Sequence, residues 1–289
     1  VMGLANVASI HAGVYTTCAR LMDGTVWCWG RGGDLGNGTT ANSSVPVQVS
    51  GLANVIQLSV SHNAGTAFPN HVCGVRMNGT AFCWGLNADG QLGQGSAGGL
   101  LSLPTQVFGL PSPTAVAAGG SHSCAISGGD VYCWGVNTAG QLGTGDFINR
   151  TTPTPVTDLA SDAIAIAAGD AHSCVLRTSG AVFCRGDNTY GQVGDNGGAN
   201  ANKPTQVYGL ASGVTAINAG TVQACALLAS GQVKCWGGNS DGAIGDTTTH
   251  DALSSTRKVA AETFRISALV ATATTRWRYR EVTVRSTDR

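Results

Sequence analysis

Ten cysteines are the residues with the plainest chemical potential in this 289-residue chain, and all ten fall in five close pairs. The pairs are Cys18 with Cys28, Cys73 with Cys83, Cys124 with Cys133, Cys174 with Cys184 and Cys225 with Cys235. Three chemistries suit paired thiols: disulfides, a metal, or reduced structural thiols. Zinc sites favour cysteines about two to four residues apart with a second close pair, a spacing these pairs lack. Hairpin arithmetic favours disulfides. A three-residue loop Met22-Asp23-Gly24, with Gly in the left-handed slot, sets residue 21 against 25 and hence Cys18 against Cys28. Met77-Asn78-Gly79, Thr178-Ser179-Gly180 and Ala229-Ser230-Gly231 repeat the pattern, and Gly128-Gly129 shortens it to a two-residue turn that still opposes Cys124 and Cys133. At a non-hydrogen-bonded antiparallel position the Cα atoms come within about 4.5 Å, which a disulfide tolerates. Five disulfides imply an oxidising compartment: extracellular, cell-surface or periplasmic.

Other chemistry is thinner. His71, His122 and His172 share one slot, two residues before a cysteine, where the first and fifth pairs have Thr16 and Gln223. Exchange of His with Thr and Gln suits a hydrogen-bonding structural role and would break a metal ligand or a general base. Gly93-Gln94-Gly95-Ser96-Ala97-Gly98 fits a phosphate-loop pattern but opens no helix, so the helix N-terminus that would hold a pyrophosphate is missing. Asn87-Ala88-Asp89-Gly90 lacks the further carboxylates of a calcium loop. No catalytic residue, metal site, cofactor or nucleotide cofactor is assigned, and the chain reads as a non-enzyme.

The elements that carry the cysteines recur. The first cysteines of successive pairs stand 55, 51, 50 and 51 residues apart. An apolar segment ending in Ala-Gly precedes each first cysteine in four of the units, as in Ile10-His11-Ala12-Gly13 and Val116-Ala117-Ala118-Gly119. Trp-Gly follows the second cysteine at Trp29, Trp84, Trp134 and Trp236, and these tryptophans read as packing residues between units. A polar loop ending in Gly-Gln-Leu-Gly or a variant comes next. Four short apolar stretches per unit, parted by Gly, Pro, Asn and Asp, read as four strands. One such unit cannot bury both faces, so units stack, and radial stacking gives a β-propeller.

The phrase His122-Ser123-Cys124-Ala125 followed by Val131-Tyr132-Cys133-Trp134-Gly135-Val136-Asn137-Thr138-Ala139-Gly140-Gln141-Leu142-Gly143 strongly resembles the regulator-of-chromosome-condensation repeat. The resemblance runs over about residues 1 to 245. It implies an all-β propeller of four-stranded antiparallel blades, with five repeats of a seven-bladed ring. Two departures stand out: Arg31-Gly32-Gly33-Asp34 in the first loop, and Arg185 where the fourth unit should have tryptophan.

Composition narrows the function. Sixteen basic and sixteen acidic residues cancel, which removes the electrostatic footprint of a nucleic-acid binder. No run of about eighteen apolar residues suggests a transmembrane segment. The domain reading is five repeats over 1–246, starting mid-repeat as a fragment would, and a divergent tail over 247–289. Residues 257 to 289 hold eight of the sixteen basic residues. That tail reads as a basic arm, a non-homologous cap, or disordered sequence translated out of frame; its abrupt composition favours the last.

One local insertion breaks the repeat. The second unit takes fifteen steps from Leu58 to Cys73 where the others take eight, the extra residues lying between His62 and Asn70. Irregular loops on rigid scaffolds are where binding contacts gather, which nominates His62, Asn63, Phe68 and Asn70, although drift in a tolerant loop is the simpler explanation. The leading functional expectation is an exported, non-catalytic interaction scaffold whose loops bind a protein or an extracellular surface polymer. The resemblance supplies two alternatives: a guanine-nucleotide exchange factor for a small GTPase, and a secreted enzyme inhibitor.

Overall fold

The computed structural model describes residues 1, 3–62 and 70–258. These form five four-stranded antiparallel sheets, each built from four consecutive strands. Blade 1 comprises β1 (Val7–Ala12), β2 (Thr16–Leu21), β3 (Val26–Gly30) and β4 (Ser43–Gln48). Blade 2 comprises β5 (Val55–Val60), β6 (His71–Arg76), β7 (Ala81–Leu86) and β8 (Leu100–Gln106). Blade 3 comprises β9 (Pro113–Ala118), β10 (His122–Ser127), β11 (Asp130–Gly135) and β12 (Arg150–Pro155). Blade 4 comprises β13 (Ala163–Ala168), β14 (His172–Arg177), β15 (Val182–Gly186) and β16 (Ala201–Gln206). Blade 5 comprises β17 (Val214–Ala219), β18 (Gln223–Leu228), β19 (Val233–Gly237) and β20 (Ala252–Lys258).

The turns explain the register. Gly24 sits at φ 78° and Gly24 N–H donates to Leu21 O at 3.0 Å, closing the three-residue loop and setting Cys18 against Cys28. Gly128 and Gly129 both have positive φ, as a two-residue primed turn requires, and Cys124 still faces Cys133. One residue fewer therefore changes the turn and leaves the pairing intact. All five pairs are disulfide-bonded, each with Cα atoms 4.1 Å apart.

Successive blades pack face to face, and the first strand of each lines a central cavity of about 340 Å³. Loops stitch neighbours together at the rim. Gly38 N–H donates to Ser102 O, Gly95 N–H to Thr151 O, Gly145 N–H to Asn202 O and Asn196 N–H to Leu253 O, each at 2.9 Å. Among the described residues blade 5 packs no strand face on blade 1, so the blades form an open arc.

The expected boundary at residue 246 moves. The fourth strand of blade 5 is Ala252–Lys258, inside the stretch assigned to a divergent tail. It pairs with β19, and Asp195 of blade 4 bridges to Ser254. Its sequence lacks the Pro-x-x-Val of the other outer strands, but backbone pairing on both sides supplies what the local signal does not. Residues 259–289, including Arg276, Trp277, Arg278, Tyr279 and Arg280, lie outside the described residues.

Candidate functional site

The seams between blades carry most of the buried polar chemistry. At the seam of blades 2 and 3, Trp134 Nε1 donates to Gln91 O at 2.8 Å and Ser123 Oγ donates to the same carbonyl at 2.9 Å. With its one proton so used, Ser123 accepts from His71 Nε2 at 2.9 Å, which fixes the Nε2–H tautomer. The indole sits against Gly93, where any Cβ would stand 2.8 Å from Nε1. His122 repeats the bond to Ser173 Oγ at 2.8 Å, and Ser173 donates to Gln141 O at 3.1 Å. Burial pushes His71 down to about 4 and His122 to about 3, so both rings are neutral at physiological pH. They join blades rather than handle protons.

The four seams are variations on that set. At blades 1 and 2, Trp84 Nε1 donates to Asp34 O at 2.8 Å. The Asp34 carboxylate accepts from Thr16 Oγ1 at 3.1 Å and Asn70 N at 2.9 Å, yet burial pushes it up to about 6. At blades 4 and 5, Trp236 Nε1 donates to Gln192 O at 2.9 Å, but Ala224 occupies the serine slot. His172 holds the slot that His71 and His122 hold in the preceding blades. Neither of its ring nitrogens makes a well-aligned hydrogen bond to the described residues, and burial lowers its pKa to about 4 against the upward pull of the Asp187 charge and the Gln223 backbone. At blades 3 and 4 the indole itself is gone. Arg185, fully buried, runs over Gly143 and points Nη2 at Cys133 Sγ, 2.9 Å away, and at Cys124 Sγ, 3.6 Å away.

The nominated binding residues divide. Asn63 and Phe68 lie outside the described residues. His62 is half-buried among the residues lining the central cavity; burial lowers its pKa against the upward pull of the Ala12 backbone, while burial, then the charges of Arg20 and His62, lower His11 to about 4. Asn70 is 2% exposed, with its N–H on Asp34 and its side chain toward Gly13, so it braces the seam beneath the loop.

Antiparallel order puts the end of β5 and the start of β6 at the same end of the blades as the long loops between third and fourth strands. One asparagine organises each loop in blades 2 to 5. Asn87, Asn137, Asn188 and Asn239 accept through Oδ1 from the N–H of Leu92, Leu142, Val193 and Ile244, at 2.9 to 3.1 Å. The blade 3 loop displays Phe147 and Ile148, 50% and 64% exposed. They are held from below: Asp146 accepts from Ile148 N at 3.1 Å and pairs with Arg150 at 2.6 Å, while Arg150 Nη1 donates to Ile148 O at 2.7 Å. Tyr190 on the blade 4 loop and Tyr15 of blade 1, with Arg31 above its ring, add exposed aromatic surface at this end. Sequence reading passed over these residues because single apolar residues in polar loops carry no periodic signal. Among the described residues no cluster of three or more His, Cys, Asp or Glu could hold a metal ion. No described helix is long and apolar enough to cross a membrane.

A repeat every fifty residues, a tryptophan reaching into the preceding blade and a Gly-Gln turn that receives it define the architecture. The regulator of chromosome condensation (RCC1) repeat model matches residues 23–67, 78–126, 128–176 and 179–227, roughly two thirds of the chain. A second model of that repeat matches 114–141, 163–192 and 214–243.

The chain belongs to the RCC1 repeat family.

Among curated RCC1-repeat proteins it is 31% identical over 96 residues to human E3 ubiquitin-protein ligase HERC2, covering 32% of this chain and 2% of that protein. It is 31% identical over 104 residues to human RCC2, covering 35% and 19%. Yeast RCC1, solved bound to Kap60, superposes with a TM-score of 0.75 at 22% identity over 88% of this chain and 61% of that one. This chain thus spans under two thirds of each relative. The structural likeness establishes the propeller fold.

Proposed function

We propose that this RCC1-repeat propeller is an exported, non-catalytic scaffold that binds a partner protein through the loop-bearing end of its blades. The observation that carries this reading is the Phe147–Ile148 pair: two large apolar side chains displayed to solvent and clamped by Asp146 and Arg150. Exposed apolar groups on a pre-ordered loop cost little entropy to bury, which is what a binding anchor requires. Tyr15 and Tyr190 extend the same end with residues suited to interfaces. Five disulfides support export, because cytosolic thiols are kept reduced.

The test is retention of proteins from the medium or envelope extract of the source cells on the immobilised, disulfide-intact chain. A partner retained by the parent and lost by Phe147→Ser/Ile148→Ser supports the reading. Equal retention by both would move the site away from this loop.

Likeness to yeast RCC1 favours a second reading, guanine-nucleotide exchange on a small GTPase. It predicts accelerated nucleotide release from at least one member of a GTPase panel at micromolar propeller. Unchanged release across the panel discards it.

A further inference from the structure

Three of the five disulfides share a buried core with an indole from the next blade: Cys18–Cys28 with Trp84, Cys73–Cys83 with Trp134, and Cys174–Cys184 with Trp236. The Cys225–Cys235 bridge lies at the open end, with Cys225 only half-buried. Among the described residues Cys124–Cys133 alone is covered by a cation. Its sulfurs are fully buried, and the Arg185 guanidinium lies over them. Among the described residues Nε and Nη1 of Arg185 have no hydrogen-bond partner, and no carboxylate forms an ion pair with the guanidinium.

We propose that Cys124–Cys133 is a thiol-exchange site, the covered disulfide that a dithiol reductant opens first, because reduction places a thiolate beside the guanidinium. A buried cation without a counter-charge is held at a cost that an adjacent anion relieves. Burial alone lowers Arg185 to about 9, which leaves it charged at neutral pH and in want of that anion. The step balances. A dithiol delivers two electrons and closes to its own disulfide, and the Cys124–Cys133 S–S bond breaks. One of the two protons stays on Cys124, the other leaves to solvent, and Cys133 remains a thiolate paired with Arg185. A nearby guanidinium depresses thiol pKa in this way generally, and stabilising the reduced form raises the potential of the couple. The sulfurs become reachable when blades 3 and 4 part locally, and the seam that lacks the indole is the one with least to hold it shut.

The experiment equilibrates the full chain anaerobically in buffers of reduced and oxidised dithiothreitol, alkylates free thiols and maps the peptides. Cys124 and Cys133 are expected to be alkylated at a dithiol ratio at least about tenfold below that needed for the three indole-covered bridges, about 30 mV for a two-electron couple. Arg185→Met and Arg185→Trp, each checked for β-sheet content by circular dichroism, are expected to bring the bridge into line with those three. Reduction of Cys124–Cys133 together with or after the indole-covered bridges in the parent chain overturns the proposal. So does persistence of its lead in both folded variants.

Discussion

Two neighbouring seams separate what a propeller blade needs from what this chain has altered. Where blade 3 meets blade 2, Gln91 O receives both the Trp134 indole and the Ser123 hydroxyl, and the indole fills the space over Gly93. Where blade 4 meets blade 3, Gln141 O receives Ser173 alone, and Arg185 lies over Gly143 with two of its nitrogens unpartnered among the described residues. The backbone is the same at both. One seam gains apolar burial and a satisfied hydrogen bond; the other confines a charge that no described residue neutralises. The seam is therefore a modular device whose parts, indole, hydroxyl and shared carbonyl, can be lost one at a time without loss of the blade.

The largest expected effect breaks the intact seam. Trp134→Ala removes the ring and leaves a cavity, and should cost about 3–5 kcal/mol in guanidinium denaturation with disulfides intact. The mirror experiment repairs the altered seam. Arg185→Trp should stabilise by about 1–4 kcal/mol, because it replaces a buried charge with an indole whose N–H can reach the free lone pair on Gln141 O. A loss of stability would mean that the guanidinium has a counter-charge outside the described residues, and would erase the contrast between the two seams.

The first seam sharpens the comparison through pH. Asp34 is raised from its ordinary range to about 6 by burial, against the opposing pull of Asn70 N–H and Thr16. A carboxyl with a raised folded pKa favours the fold while protonated, below about 4, and loses that contribution as pH rises through 6. Asp34→Asn should therefore stabilise by about 2 kcal/mol at pH 7.5 and change little at pH 4. Denaturation at the two pH values checks it. The Trp84 bond is untouched by the substitution, because it uses the backbone carbonyl of residue 34.

How much of this could be read from sequence follows from the distance over which each feature acts. Cysteine register was legible because a hairpin loop of known length fixes it within about ten residues. The departure at Arg185 was visible as a missing tryptophan, but its chemistry depends on Cys133, 52 residues away. Asn70 looked like part of an exposed insertion, whereas its backbone is tied to Asp34 across the seam. The outer strand of blade 5 was invisible because Ser254 and its neighbours are strand by virtue of their pairing partners, not their own pattern.

The smallest effect tests the modular reading most directly. Ala224 stands where Ser123 and Ser173 stand in the preceding blades, and His172, in the slot of His71 and His122, has no well-aligned Nε2 hydrogen bond to the described residues. Gln192 O already receives the Trp236 indole, as Gln91 O receives Trp134, and has a lone pair left for a hydroxyl. Ala224→Ser should restore the relay from His172 through the new hydroxyl to Gln192 O, and stabilise by about 0.5–1.5 kcal/mol. The gain should vanish in Ala224→Ser/His172→Gln if the glutamine side chain turns elsewhere, as Gln223 does toward Val222 N in blade 5. A double-mutant cycle measured by denaturation reads the coupling directly. Coupling near zero would show that the hydroxyl and the imidazole stabilise their seams independently, so that the shared carbonyl alone is the organising element.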